Sequence, residues 1–524
     1  MTASELHEIL LGRGEIALLD VREACDFVGG HINLACHLPL SRLELDAPVL
    51  VPRLGALIVL CDATGGRGDF ASRSSTVLSR LGYTHVAVLE GGIGAWVQSG
   101  FETSKGYGTY VRAFADEARK RYSVPMVTPH ELRARLKEGR PTTVIDARPG
   151  PEYAFASIPE ARNYPGVELA TRSLTSSDPD HLWVVNCFSR TRGIIGTASV
   201  NLLKQVKNVA FLEDGVMAWF ASGFETAHGA AAVDDIPEET ERALATRAEQ
   251  IISGYRLNVS TPEVLDQWRT DPDRSLYVFD VRLKKDQRLC SEAGVVHVPG
   301  GQLLMHFDAN VATRRARLVL IDDEHLLRAA VSAFWLTQLA DADVYILRGQ
   351  PCPLPESSAP NKKSRNGGPS LSVAELATLL EENRVVVVDV GRSLDYVNAH
   401  VRGAYYLVAS SLPGLDSKRF DKPIVFVSTD GQAAELAARD ALHLDIASAG
   451  WLRGGTLAWN SSRQPVERGW APERLLTPFL DDWGSVMRLA PEQRETVYPE
   501  FLRWERAVAS HVRKDDTVRF HFFD

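Results

Sequence analysis

Cysteine is scarce in this chain: six residues in 524, at positions 25, 36, 61, 187, 290 and 352. None forms a CxxC pair, and no histidine stands at zinc-ligand spacing from one. A disulfide framework and a structural zinc site are therefore not expected. The usage fits a reducing, cytoplasmic setting. Positive charge is also short, with 58 Lys and Arg against 67 Asp and Glu and a net charge of -9. That balance argues against a general nucleic-acid binder or a basic membrane-surface protein, though a local basic pocket stays open. No run approaches the roughly 18 apolar residues that a membrane span needs. The start, Met1-Thr2-Ala3-Ser4-Glu5-Leu6-His7, has no basic region followed by an apolar one, so no signal peptide is expected.

What the chain does have is internal repetition. An apolar run ending in Asp-x-Arg, or close to it, occurs four times: Leu18-Leu19-Asp20-Val21-Arg22, Val144-Ile145-Asp146-Ala147-Arg148, Val278-Phe279-Asp280-Val281-Arg282 and Val387-Val388-Asp389-Val390-Gly391-Arg392. The interval is the size of one domain. A second phrase closes three units: Gly91-Gly92-Ile93-Gly94-Ala95-Trp96, Asp214-Gly215-Val216-Met217-Ala218-Trp219 and Gly454-Gly455-Thr456-Leu457-Ala458-Trp459. The third unit keeps only Leu347-Arg348-Gly349 there.

Within a unit, short β-branched runs alternate with helical stretches. In the first, Ala56–Leu60 and Val86–Leu89 read as strands and Ser72–Leu81 as a helix. The alternation implies an α/β fold, a small parallel sheet flanked by helices in each unit. The expected boundaries are 1–105, 124–228, 256–350 and 370–472, with a helical extension over 473–524. Thr or Ser followed by Glu, before Pro129–Leu136 and before Val373–Leu380, predicts capping boxes. The segment from Ile236 to Glu241 reads as an acidic helix, Gln350–Pro369 as a flexible linker, and Glu492–His511 as an amphipathic helix packed on the domains.

Chemistry concentrates in Cys187-Phe188-Ser189-Arg190-Thr191-Arg192-Gly193. The apolar run Trp183-Val184-Val185 leads into it and a small-residue helix follows. Cys187 then stands at the carboxyl end of a strand, where open α/β sheets bind ligands. Loop N–H groups and a helix N-terminus there favour a thiolate nucleophile. Arg190 and Arg192 are candidates for holding an anionic substrate, with Arg192 equally placed to anchor the loop through a carboxylate.

Together the Asp-x-Arg phrase, Gly30-His31-Ile32, the Cys-x-x-x-x-Arg loop from Cys187 to Arg192 and the Gly-Gly-x-x-Ala-Trp close resemble rhodanese (sulfurtransferase) domains, in four tandem copies over nearly the whole chain. The resemblance implies that Cys187 is the catalytic residue. Residues Phe188, Ser189, Arg190, Thr191, Arg192 and Gly193 would form the active loop. A sulfane sulfur would pass from thiosulfate or a persulfide donor to a thiol or cyanide acceptor through a Cys187 persulfide. No metal, no organic cofactor, no nucleic acid and no membrane is implied. Cys61 and Arg67 are a possible second site, because Cys61-x5-Arg67 has the spacing of related phosphatase and arsenate-reductase loops. Counting back from the next helix, however, puts Gly65 in the nucleophile's place. The third unit offers Asp322-Asp323-Glu324 and the fourth Ser428-Thr429-Asp430-Gly431 where the nucleophile would stand, so both are expected to serve as scaffold or cover. Cys290 reads as structural, and Asp146 with Arg148 as a structural ion pair. The alternatives to turnover are a sulfur carrier or scaffold loaded by a partner, and a Cys61-dependent phosphatase or arsenate reductase.

Overall fold

The computed structural model describes residues 1–66, 69–231, 233–283, 294–349 and 368–524. Cys290, Cys352, Arg67 and most of the expected linker after Gln350 lie outside them. Four five-stranded sheets run along the described chain. In the second unit the strand order is Met126–Val127, Val209–Leu212, Leu182–Asn186, Thr142–Asp146, Arg162–Asn163, with every pairing parallel. The third and fourth units repeat that order, centred on Arg317–Ile321 and Ile424–Val427. Helices cover both faces, so the central strands are apolar without alternation; Trp183, Val184 and Val185 are all buried.

The first unit departs from the pattern. Its strands Ile16–Asp20, Leu57–Cys61 and His85–Val88 pair in parallel. Ile16–Asp20 then shares its outer edge between Cys36–His37 and an antiparallel pair from the third unit, Thr313–Arg314. Arg315 beside it donates to the carbonyls of Leu10 and Gly14 at 2.6 and 2.7 Å.

Capping boxes form at Thr128 with Glu131 and at Ser372 with Glu375. The expected acidic helix starts later than the sequence suggests. Thr240 caps the helix Glu241–Gly254 by accepting from the Ala243 N–H, and Ile236–Glu239 stays outside it. Pro237 has no N–H, and its ring disfavours helical backbone at the residue before it.

The units associate as nested pairs. The second meets the third where Gly166 and Gly301 approach so closely that a Cβ on Gly166 would stand 2.7 Å from Gly301 Cα. Arg328 donates to both Glu168 oxygens at 2.6 and 3.0 Å, and Trp335 Nε1 donates to Ser199 Oγ at 2.8 Å. The first meets the fourth through the corresponding elements. There Arg439 donates to both Glu44 oxygens at 2.5 and 2.8 Å, and Arg73 donates to the Ser410 carbonyl at 2.6 Å.

Two helices outside the repeats fill the centre. Thr109–Arg121 buries Val111, Phe114, Ala115 and Ala118 in a core shared by the first three units. Pro491–Val512 packs along it and over the second unit. No helix among the described residues is long and apolar enough to cross a membrane.

Candidate active site

The register of the second sheet places the loop. Asn186 pairs with Asp146 at the carboxyl end of the central strand, and the Asn186 carbonyl accepts from the Ala147 N–H at 2.9 Å. Cys187 follows, and the helix Thr191–Leu202 opens four residues later. Between them the loop is held from above by the next helix, Gly215–Ala221. The Cys187 carbonyl accepts from the Val216 N–H at 2.9 Å, and the Phe188 carbonyl from the Met217 N–H at 3.0 Å. That close approach explains the glycine of the closing phrase. Gly215 has φ +58°, and a Cβ there would stand 2.3 Å from the Cys187 oxygen.

Cys187 is 2% exposed. Burial pushes its thiol up from the ordinary value. Arg192, the Gly193 N–H and Arg148 oppose that, while Asp146 adds to it. The sequence leads one to expect a favoured thiolate. The structure differs because the sulfur is sealed and the positive charge of the neighbouring arginines is already matched by carboxylates. Arg192 donates to both Glu152 oxygens at 2.8 and 2.6 Å. Arg190 donates to Asp116 at 2.5 Å and to Asp214 at 3.3 Å. Thr191, on the first turn, is buried. Arg148, fully buried, grips Asp146 through Nε and Nη2, donates to the Ala156 carbonyl at 2.6 Å and lies 5.6 Å from the Phe188 ring centre.

Ser189 Oγ donates to Glu505 Oε1 at 3.0 Å. Glu505 is 4% exposed and comes from the C-terminal helix; its Oε1 also takes Arg112 Nη1 from the helix Thr109–Arg121. Sequence reasoning missed both residues, since neither lies in a repeat. One signal was present: Glu505 falls on the stripe Tyr498, Leu502, Val508, Val512, all buried. A lone carboxylate on an apolar stripe needs a partner.

The same register locates the equivalents of Cys187. In the first unit Cys61 pairs with Asp20 and its carbonyl accepts from the Val21 N–H. Cys61 thus matches Asn186, and Asp62 matches Cys187; the Asp62 carbonyl accepts from the Ile93 N–H at 2.9 Å, as Cys187 does from Val216. The count that pointed to Gly65 gives way to this register. The apolar run extends one residue further than Leu60, and the longer loop delays the helix to Phe70. Cys61 is fully buried, its Sγ donates to the Leu19 carbonyl at 3.5 Å, and burial with Asp20 beside it raises its pKa. In the third and fourth units the matching residues are Asp322 and Ser428.

Each of these three side chains accepts from the amide of the following helix. Asp62 takes Ala71 at 2.8 Å, Asp322 takes Ala329 at 2.9 Å and Ser428 takes Ala434 at 3.2 Å. Asp322, Asp323 and His325 are close enough together to hold a cation. Arg328 already supplies the positive charge there, donating to Asp323 at 2.7 Å.

The rhodanese-like domain model matches residues 2–99, 128–222 and 372–462, more than half of the chain. The chain belongs to the rhodanese-like family. The third unit, Asn258–Leu347, lies outside the matched residues and carries the same strand order. A thiosulfate sulfurtransferase from Pseudomonas aeruginosa has a similar structure, with TM-score 0.90 and 30% identity, covering 100% of this chain and 99% of that one. An uncharacterized Synechocystis protein is 39% identical over 92 residues, which is 17% of this chain and 48% of that protein. The protein HIGH ARSENIC CONTENT 1 of Arabidopsis thaliana, mitochondrial, is 36% identical over 98 residues, which is 17% of this chain and 56% of that protein. The chain spans about half the length of these two relatives.

Proposed function

We propose that this chain is a sulfurtransferase whose second unit, residues 124–228, carries a single active cysteine, Cys187. The units at 1–105, 256–350 and 370–472 serve as scaffold and cover. The observation that carries this reading is the register. Of the four equivalent positions, 62, 187, 322 and 428, one holds a thiol, and it faces the amide of Gly193 at the opening of a helix. The whole-chain likeness to a thiosulfate sulfurtransferase supports it.

In the proposed cycle Cys187 loses its proton and attacks the outer sulfur of thiosulfate or a related sulfane donor. The S–S bond of the donor breaks and sulfite leaves with its electron pair. The terminal sulfur of the resulting persulfide carries negative charge, which loop and helix N–H groups stabilise as an oxyanion hole would. A thiol, or cyanide in the assay, then takes that sulfur and returns Cys187 as a thiolate.

The test is thiosulfate:cyanide turnover of the wild type, Cys187→Ser and Cys61→Ser, with intact mass. An adduct of about 32 Da, one sulfur atom, is expected on the wild type and Cys61→Ser and absent from Cys187→Ser. Turnover surviving in Cys187→Ser would overturn the assignment. Stoichiometric loading of Cys187 by a persulfide donor with no thiosulfate turnover would identify a carrier instead.

A further inference from the structure

We infer that Arg112, held in place by Glu505 of the C-terminal helix, binds the anionic group of the sulfur donor, so that two segments outside the repeats complete the site. This rests on the sulfurtransferase reading.

A donor such as thiosulfate presents two features, a sulfur to be transferred and a charged sulfonate. The loop answers the first. The loop arginines are poorly placed for the second, because Arg192 is clasped by Glu152 and Arg190 by Asp116 and Asp214. Arg148 is sealed on Asp146. Arg112 differs. Its Nε donates to the Tyr107 carbonyl at 3.3 Å and its Nη1 to Glu505 Oε1. Its Nη2 makes no hydrogen bond among the described residues, and the side chain is 14% exposed. The guanidinium lies between the rings of Phe501 and Trp504, 5.3 and 5.5 Å from their centres. Such contacts fix a guanidinium's plane without neutralising it. Beyond Glu505, the ionisable groups that act on it include Arg192, Cys187 and Asp308, which places it within electrostatic reach of the loop.

Glu505 is the positioning residue. One oxygen, Oε1, joins Ser189, two residues past Cys187, to Arg112. The carboxylate therefore ties the loop to the cation and sets where Nη2 points. A small cavity on the far side of the loop's end is walled by Thr191 and Arg192 together with Val111 of the helix Thr109–Arg121 and Gly301, Leu304 and Met305 of the third unit, so that helix and the third unit both reach the end of the loop.

The experiment compares two donors, thiosulfate and cysteamine persulfide, whose substituent is cationic, on the wild type, Arg112→Gln, Glu505→Ala and Glu505→Gln. Sulfite or cysteamine release reports the donor half-reaction. In Arg112→Gln the KM for thiosulfate is expected to rise about tenfold to hundredfold, the worth of a hydrogen bond to a charged group. Its kcat, and the KM for cysteamine persulfide, should stay within about threefold. Glu505→Ala should reproduce the thiosulfate effect. Glu505→Gln, whose amide oxygen still accepts from Arg112 and Ser189, should largely restore the wild-type value. Equal loss with both donors would mean structural damage and overturn the inference, as would an unchanged thiosulfate KM in Arg112→Gln. Failure of the wild type to load Cys187 from either donor would instead overturn the sulfurtransferase reading beneath it.

Discussion

Gly215→Ala tests whether the closing phrase of the repeat exists to hold the Cys187 loop. The added Cβ would lie 2.3 Å from the Cys187 oxygen and 2.6 Å from the Ser189 oxygen, both backbone atoms that cannot swing aside. Relief requires the loop to move by about an ångström, since optimal carbon contacts lie near about 3.5 Å. That movement stretches the bonds from Val216 and Met217, worth about 1 kcal/mol each. The φ of +58° adds about 1 kcal/mol for a non-glycine residue, and overpacking adds about 1–3 kcal/mol. The sum is about 4–6 kcal/mol, concentrated on the loop. Gly223→Ala is the control: its φ is +76°, but nothing lies within 4 Å of the added Cβ. Amide exchange of residues 187–193 and the rate of Cys187 loading from thiosulfate are the assays. Gly215→Ala should lose protection there and load at least about tenfold more slowly, while Gly223→Ala should behave as wild type within about threefold. Normal loading and normal protection in Gly215→Ala would refute the reasoning.

Two further outcomes follow from buried carboxylates. Asp62→Ala should leave the amides of Thr64, Gly65 and Ala71 without their acceptor and destabilise the first unit by about 2–4 kcal/mol, read as an earlier urea transition; turnover at Cys187 measured in the folded range should stay within about twofold. Asp389 lacks the arginine that its counterparts have at the second following residue: Gly391 stands there and its N–H donates at 2.8 Å, while burial raises the carboxyl to about 7. The folded state therefore holds a proton that the unfolded chain releases near about pH 4. Stability from this group is present below that and declines as pH rises to about 7. Asp389→Asn should remove that decline and raise the fourth unit's urea midpoint at pH 8; an unchanged slope of stability against pH between 4 and 7 would contradict it.

The repeat, the parallel sheets and the place of Cys187 were legible because they rest on local signals: apolar runs, Asp-x-Arg, capping pairs and glycines that a close approach demands. What was hidden is long-range. Glu505 meets Ser189 across 316 residues and Arg112 across 393, and no pattern in either helix announces the partner. The nested pairing of units was equally silent, because Glu168 and Arg328, or Glu44 and Arg439, look like any surface charges until the units meet. The first unit misled for a local reason. Its apolar run continues into Cys61, so a cysteine that looks like the start of a loop is the last residue of a strand. The thiolate expectation weighed the arginines but could not weigh burial or the carboxylates that face them.

The four loops amount to one cradle filled in different ways. Each offers a helix amide to the residue just past the central strand. With Asp62 or Asp322 there, the protein's own carboxylate lies in the positive end of the helix, and an outside anion meets both steric and charge opposition. With Ser428 a neutral hydroxyl takes the amide, but it offers no sulfur to load. Cys187 fills the cradle with a neutral, more weakly accepting atom that can carry sulfur, because burial favours the protonated thiol in the resting state. The positive potential is then unmatched until negative charge forms on that sulfur or on one attached to it. On the proposed cycle, burial disfavours ionisation before a donor is bound, and the cradle favours the charged persulfide once it forms. The same burial that raises the resting thiol therefore also shields the loaded sulfur from water.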